Sequence, residues 1–222
     1  MTLLQKKTIT LTWGCQAENH VGMQKVGNGL SDNGFTNENL IFVKNIFEAK
    51  NFECKLYDLN EEIKELEETG IFDISKASIL VIKNGVSLFT DPTILFNNLI
   101  NLNWDKKYWD TRRQKVLNKQ ARYNLVFGDF NQKADFENKK GTIYDITEID
   151  GLAQIKNGLG DYFEDEFKNL ECEGNYYYDI NKCGIGYHGD AERKKVVGMR
   201  FGESCDLHYW WYYKSKRINK RI

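Results

Sequence analysis

Proline is nearly absent: Pro92 is the single one in 222 residues. Strand interiors therefore rarely lose a ladder N–H, and 12 tyrosines and 13 phenylalanines suit a strand-rich chain. Neither sign of charge is in excess. Thirty-one Lys and Arg stand against 32 Asp and Glu, for a formal charge of −1. That balance excludes a globally basic, histone-like nucleic-acid binder but not a local basic face. Long apolar runs are missing: none approaches the ~18 residues of a membrane helix. The opening MTLLQKKTITLTW has neither the apolar stretch nor the cleavage site of a signal peptide. Cysteines are few and scattered, at 15, 54, 172, 183 and 205, with no C-x-x-C pair for zinc. An odd, dispersed set points to a reducing interior. The expectation is a soluble intracellular protein of cytoplasm or nucleus, without a membrane partner.

What is present suffices for a core. Hydrophobic residues make up 41% and charged residues 28%. A chain of this length buries roughly 70–75% of its unfolded surface, so neither disulfides nor a structural metal are required. Thr8–Trp13 alternates threonine with apolar residues and reads as a strand. Thr36 is placed to cap a helix carrying Leu40, Val43 and Phe47 on one face. Phe52–Tyr57 reads as a strand, residues 58–68 as an acidic helix, and Ser78–Ile82 as a buried strand. Asp91-Pro92 is a cap followed by proline at the first helical position, ahead of Leu95, Phe96, Leu99 and Leu102. This order predicts an N-terminal α/β lobe over 1–103. Its glycine-rich stretch around His20 lacks any phosphate-loop spelling and reads as a turn-rich connector or a weak ligand site. From 104 to 222 the texture changes: a helix is predicted over 149–170, then strands at 176–180, 184–188, 196–201 and 207–213.

The most informative stretch is EGNYYYDINKCGIGYHGDAERKKVVGMRFGESCDLHYWWYY, residues 173–213. His188-Gly189-Asp190 is an H-x-D, and side chains at i and i+2 of a strand share one side. Iron chemistry with dioxygen uses two imidazoles and one carboxylate on one face of the metal. Taken alone, H-x-D is also the spelling of a surface turn. Its surroundings are Asn175 and Tyr177, Ile185-Gly186, His188-x-Asp190-x-Glu192, Val196 through Phe201-Gly202, and Leu207 through Tyr213. Upstream lie Lys119, Arg122 and Phe127-Gly128-Asp129. This ordered set resembles the AlkB-like family of iron(II)- and 2-oxoglutarate-dependent dioxygenases, over about residues 115–213.

The resemblance implies an α+β fold containing a double-stranded β-helix (jelly roll). It implies His188 and Asp190 as ligands of Fe(II). Asn175 and Tyr177, or Tyr176 or Tyr178 beside it, would contact 2-oxoglutarate. Glu192 would line the substrate pocket or sit as a solvated turn acid. The implied substrate is a methylated nucleic-acid base. Two departures stand out. The gap from Asn175 to His188 is longer than the family's. The family's second histidine ligand and arginine clamp lie beyond the chain's last residue, 32 residues after Asp190, and His208 comes too early for that ligand. The expectation is an incomplete jelly roll, either truncated or degenerate at its site. A late basic cluster, nine bases against four acids between His188 and Ile222 with aromatics at 209–213, reads as a single-stranded nucleic-acid track or a solvated edge. The alternatives to an oxygenase are a non-catalytic binding module and an incomplete gene product.

Overall fold

Threonines at 8, 10 and 12 and apolar residues at 9, 11 and 13 give the first strand two different faces, and the sheet is built outward from it. The computed structural model describes residues 6–67, 76–162, 167, 169–191 and 193–218. In chain order the strands and helices are β1 (Thr8–Gly14), β2 (Ala17–Glu18), β3 (Lys25–Val26), α1 (Asn37–Glu48), β4 (Cys54–Asp58), α2 (Lys64–Glu67), β5 (Ser78–Ile82), α3 (Pro92–Ile100), β6 (Lys107–Asp110), β7 (Lys115–Asn118), β8 (Tyr123–Gly128), β9 (Ile143–Asp145), α4 (Leu152–Tyr162), β10 (Glu171–Tyr177), β11 (Val196–Gly202), β12 (Tyr212–Tyr213) and β13 (Lys216–Arg217). The class is mixed α+β, with strands predominating.

The chain divides into two compact units, Met1–Phe35 with Val86–Cys205, and Thr36–Gly85 with Asp206–Ile222. The first contains a five-stranded sheet in the order β11-β1-β10-β8-β9. β1 is antiparallel to both neighbours, with Ile9 opposite Tyr176 and Phe201, and Thr10 opposite Asn175 and Arg200. β8 is antiparallel to β10 and parallel to β9. The apolar face carries Ile9, Leu11, Trp13, Leu125, Phe127, Cys172, Tyr176, Met199 and Phe201, all buried. α3 packs against β1 and β11. Its first turn is closed as the sequence leads one to expect: Asp91 Oδ1 accepts from Thr93 N at 2.7 Å and Ile94 N at 3.1 Å, with proline at the start. Gly174 is required on the apolar face, since a Cβ there would stand 2.8 Å from Phe127 and 2.9 Å from Trp104.

The second unit pairs β4 with β5 antiparallel, and α1 packs on both. Thr36 and Asn39 form a reciprocal capping box at the start of α1. The short β12–β13 hairpin turns through Lys214 and Ser215, both at positive φ (45° and 64°). That is the backbone a tight two-residue turn demands.

Several expectations change. The predicted lobe over 1–103 does not hold one sheet: β1 joins strands from the C-terminal half, while β2 pairs with β3 and β4 with β5. The limits of the compact units do not coincide with a boundary at 103/104. The predicted strand at 184–188 is irregular chain, and the one at 207–213 is reduced to β12. Periodicity predicted both, but glycines at 184, 186 and 189 weaken the first. The acidic helix is a 3-10 turn over Leu59–Ile63 continued by α2. The helix expected over 149–170 is α4 over its first part, and residues 163–166 and 168 lie outside the described residues. Among the described residues no helix is long and apolar enough to cross a membrane.

Leu11 is fully buried on the central strand. Its truncation to alanine should lower unfolding free energy by about 2–5 kcal/mol, the usual cost of a core cavity. Leu30→Ala, at a side chain 50% exposed, should change it by less than about 0.5 kcal/mol. Urea denaturation of the two variants checks both values.

Candidate functional site

Alternation along the sheet puts Thr8, Thr10 and Thr12 of β1, Glu173, Asn175 and Tyr177 of β10, Asn124 of β8 and Arg200 of β11 on the face opposite the apolar core. A polar sheet face that is also buried must satisfy its own hydrogen bonds. Most of it does so through a chain of side chains running across the sheet; the buried Thr10 hydroxyl has no partner among the described residues.

The chain is centred on Asn175, 6% exposed. Its Oδ1 accepts from Asn124 Nδ2 at 2.7 Å and from Arg122 Nε at 2.6 Å, while its Nδ2 donates to Glu173 Oε1 at 2.9 Å. On one side, Asn124 Oδ1 accepts from Lys119 Nζ at 2.7 Å, and Lys119 also donates to Asn19 Oδ1 at 2.7 Å. Asn19 in turn donates to Asp105 Oδ2 at 2.8 Å, and Asp105 takes the backbone N–H and the hydroxyl of Thr142. On the other side, Glu173 Oε2 accepts from Arg193 Nη2 at 3.2 Å, and Arg193 Nε donates to Asp190 Oδ2 at 2.9 Å. Arg193 and Glu173 are both buried, with side-chain exposures of 6% and 9%. Gly14 makes room for the arginine, since a Cβ there would lie 2.6 Å from Arg193 Cδ.

The outer end of the chain is His188. Its Nε2 lies 3.6 Å from Asp190 Oδ1, and its Nδ1 lies 2.7 Å from Gly186 O. A backbone carbonyl only accepts, so Nδ1 carries a proton, and Nε2 is the ring nitrogen nearer Asp190. This is the arrangement a metal-ligating histidine needs. The two side chains thus converge, although the segment that carries them is not a strand.

Of the residues singled out from the sequence, Asn175 and Asp190 are joined by one hydrogen-bonded route through Glu173 and Arg193, and His188 stands 3.6 Å beyond its end. Tyr177 lies on the same face, its phenol pushed above its usual range by burial, with Arg122 and Arg200 opposing. Glu192 lies outside the described residues. His208 belongs to the second compact unit, with Nε2 3.9 Å from Asp206 Oδ2. His20 stacks on Tyr108 at 3.8 Å between ring centroids. Asn19, Asp105, Asn124 and Glu173 were not singled out. Continuing the alternation from Tyr177 and Asn175 back by two residues reaches Glu173, so that signal was present. Asn19 and Asp105 come from distant loops and left none. Among the described residues no three His, Cys, Asp or Glu side chains group as a metal site.

Lys119, and His20 next to Asn19 in the chain, are strongly displaced in their titration. Burial lowers the Lys119 ammonium to about 7, partly offset by Asp105. Burial first and the Lys119 charge second lower the His20 ring to about 4; Arg122 also lowers it, and the Val21 carbonyl and Asp110 oppose. The folded protein therefore binds fewer protons at His20 than the unfolded chain, whose histidine titrates near 6.5. Stability from this group is complete above pH 6.5 and is lost progressively as pH falls toward 4. Replacing His20 by Phe should flatten that part of the stability curve, measured as urea midpoints between pH 7 and pH 4.

No family model matches the chain. No solved structure matches it either. It is 44% identical over 217 residues to “Uncharacterized protein R156” of Acanthamoeba polyphaga mimivirus, an alignment that covers 98% of this chain and 83% of the viral protein. Identity of that extent over nearly the whole chain means that the protein belongs to the family of this mimivirus protein.

Proposed function

We propose that the chain is an AlkB-like iron(II)- and 2-oxoglutarate-dependent dioxygenase domain acting on a methylated nucleic-acid base. The observation that carries the reading is the convergence of His188 Nε2 and Asp190 Oδ1 to 3.6 Å. On this reading the five-stranded sheet is one wall of a double-stranded β-helix and its polar face is the inside.

The donors fit the iron(II) of this chemistry in part. An imidazole and a carboxylate oxygen face each other, and a third donor is not among the described residues. His188 and Asp190 would hold the ion. Arg193 fixes Asp190 through its Nε, and is itself fixed by Glu173. Asn175, with one N–H on Glu173, and Tyr177 on the same face would contact the cosubstrate. By the resemblance, Glu192 would belong to the substrate pocket. Iron(II), 2-oxoglutarate and dioxygen together supply an oxidant for C–H hydroxylation, and hydroxylating an N-methyl group releases formaldehyde. A methylated base in a duplex must be flipped out to be reached.

A second reading, a non-catalytic binding module, rests on a different observation. Arg193 occupies Asp190 Oδ2 at 2.9 Å and neutralises the carboxylate with a guanidinium. Anaerobic titration with Fe(II), beside the His188→Ala variant, separates the two. The dioxygenase reading expects binding by the wild-type chain, weakened about ten-fold or more by the substitution, and succinate formation that the substitution abolishes. Metal affinity that His188→Ala leaves unchanged, together with no succinate formation by the wild-type chain, would favour the binding module.

A further inference from the structure

The opposite side of the same sheet carries a second feature. Tyr123 and Tyr176 are cross-strand neighbours on the apolar face of β8 and β10. They do not close that face completely. A cavity of about 380 Å³ opens beside them, with Trp104, Tyr123, Tyr176 and Tyr178 in its lining and Lys7 and Lys106 among its charged residues.

Its chemistry is selective. The floor is nearly dry: Trp104 and Tyr176 are 4% and 8% exposed, with ring centroids 5.3 Å apart. The wall is a stacked pair, Tyr123 on Tyr178 at 4.5 Å and 19° between planes. Tyr178 is fixed in that position because its hydroxyl donates to Gln120 O at 2.9 Å, and Trp104 because its indole N–H donates to Leu99 O at 2.8 Å. The Lys106 ammonium stands over the Tyr123 ring at 5.5 Å. Ile100 and Leu102 complete an apolar edge, and no acid lines the cavity. Flat aromatic surface, held rigid, with two ammonium groups and no carboxylate is complementary to a flat ring joined to an anion.

We propose that this cavity binds one unpaired nucleotide of a single-stranded nucleic acid, its base against the Tyr123–Tyr178 wall and its phosphate at Lys106 and Lys7. Stacking of this kind tolerates any base, so the site anchors a strand rather than reading sequence. It lies on the sheet face opposite Asn175 and Glu173, and it does not depend on the iron reading. If that reading also holds, the cavity is an accessory contact for strand outside the reacting base.

The test is fluorescence anisotropy with the full chain and a labelled ten-nucleotide oligothymidylate, beside a duplex of the same length and free thymidine monophosphate. Lys106→Glu, at an exposed position, should weaken oligonucleotide binding about ten-fold and make its salt dependence shallower by about one phosphate contact. Tyr178→Ala should weaken it by a similar factor through lost stacking. Lys133→Glu, an equal change of charge at another exposed position of the same unit, should leave it within two-fold. Circular dichroism confirms that each variant is folded. The proposal is overturned if Lys106→Glu and Tyr178→Ala both bind as wild type, or if Lys133→Glu weakens binding as much as Lys106→Glu. It is also overturned if the duplex binds as tightly as the single strand, or if the mononucleotide alone binds as tightly as the oligonucleotide. None of these readouts involves metal or succinate, so their failure leaves the dioxygenase reading where it was.

Discussion

Everything in the larger unit depends on the register of β1 between β10 and β11. Seven residues set it, from Thr8 opposite Tyr177 and Gly202 to Gly14 opposite Glu171 and Val196. The side-chain period of a strand is two, so a slip of one residue would exchange the faces. Ile9, Leu11 and Trp13 would then meet the polar network, and the threonines would meet the core. The buried rings on one side and the buried amides and ions on the other make that slip costly. The polar route and the aromatic cavity are therefore two consequences of one pairing.

The polar side is an expensive construction. A buried amide or ion without partners costs several kcal/mol, and a half-satisfied network is worse than an apolar one. Here the partners are supplied in relay. Asn175 and Asn124 each both accept and donate, so one amide passes the network to the next. Lys119 places its donors on Asn19 and Asn124, and Glu173 is matched by Arg193. Such a network adds little to stability compared with apolar packing, but it specifies geometry. The geometry it specifies ends at Asp190 and His188.

Much of the local structure was legible because its signals are local. The alternation of residues 8–13, the capping box at Thr36 and the Asp91-Pro92 start each act within a few residues, and each element is found where expected. The 184–188 segment was misread because period-two hydrophobicity is a necessary condition for a strand and not a sufficient one. Nothing in the sheet offers that segment a ladder, and three nearby glycines make an irregular path cheap. The fate of β1 was illegible for another reason. A strand followed by helix, strand and helix resembles a local α/β unit, whereas its actual partners lie about 160 and 190 residues further on, and local periodicity carries no information at that range.

The sequence by itself determined which faces are polar and which are apolar, through residue type at every second position, and it placed His188 two residues before Asp190. It also determined the kinship, since residue identity is what the mimivirus protein shares. Only the tertiary structure decided that Lys119, Asn19 and Asp105 belong to the same network as Glu173. It also decided that Arg193 turns inward onto Asp190 rather than outward with its basic neighbours, and that Tyr123, Tyr178 and Trp104 meet around one cavity. These are meetings of side chains from separate elements. They follow from which strands pair and in what register, a choice made by the burial of the whole apolar face at once and by no single stretch of sequence.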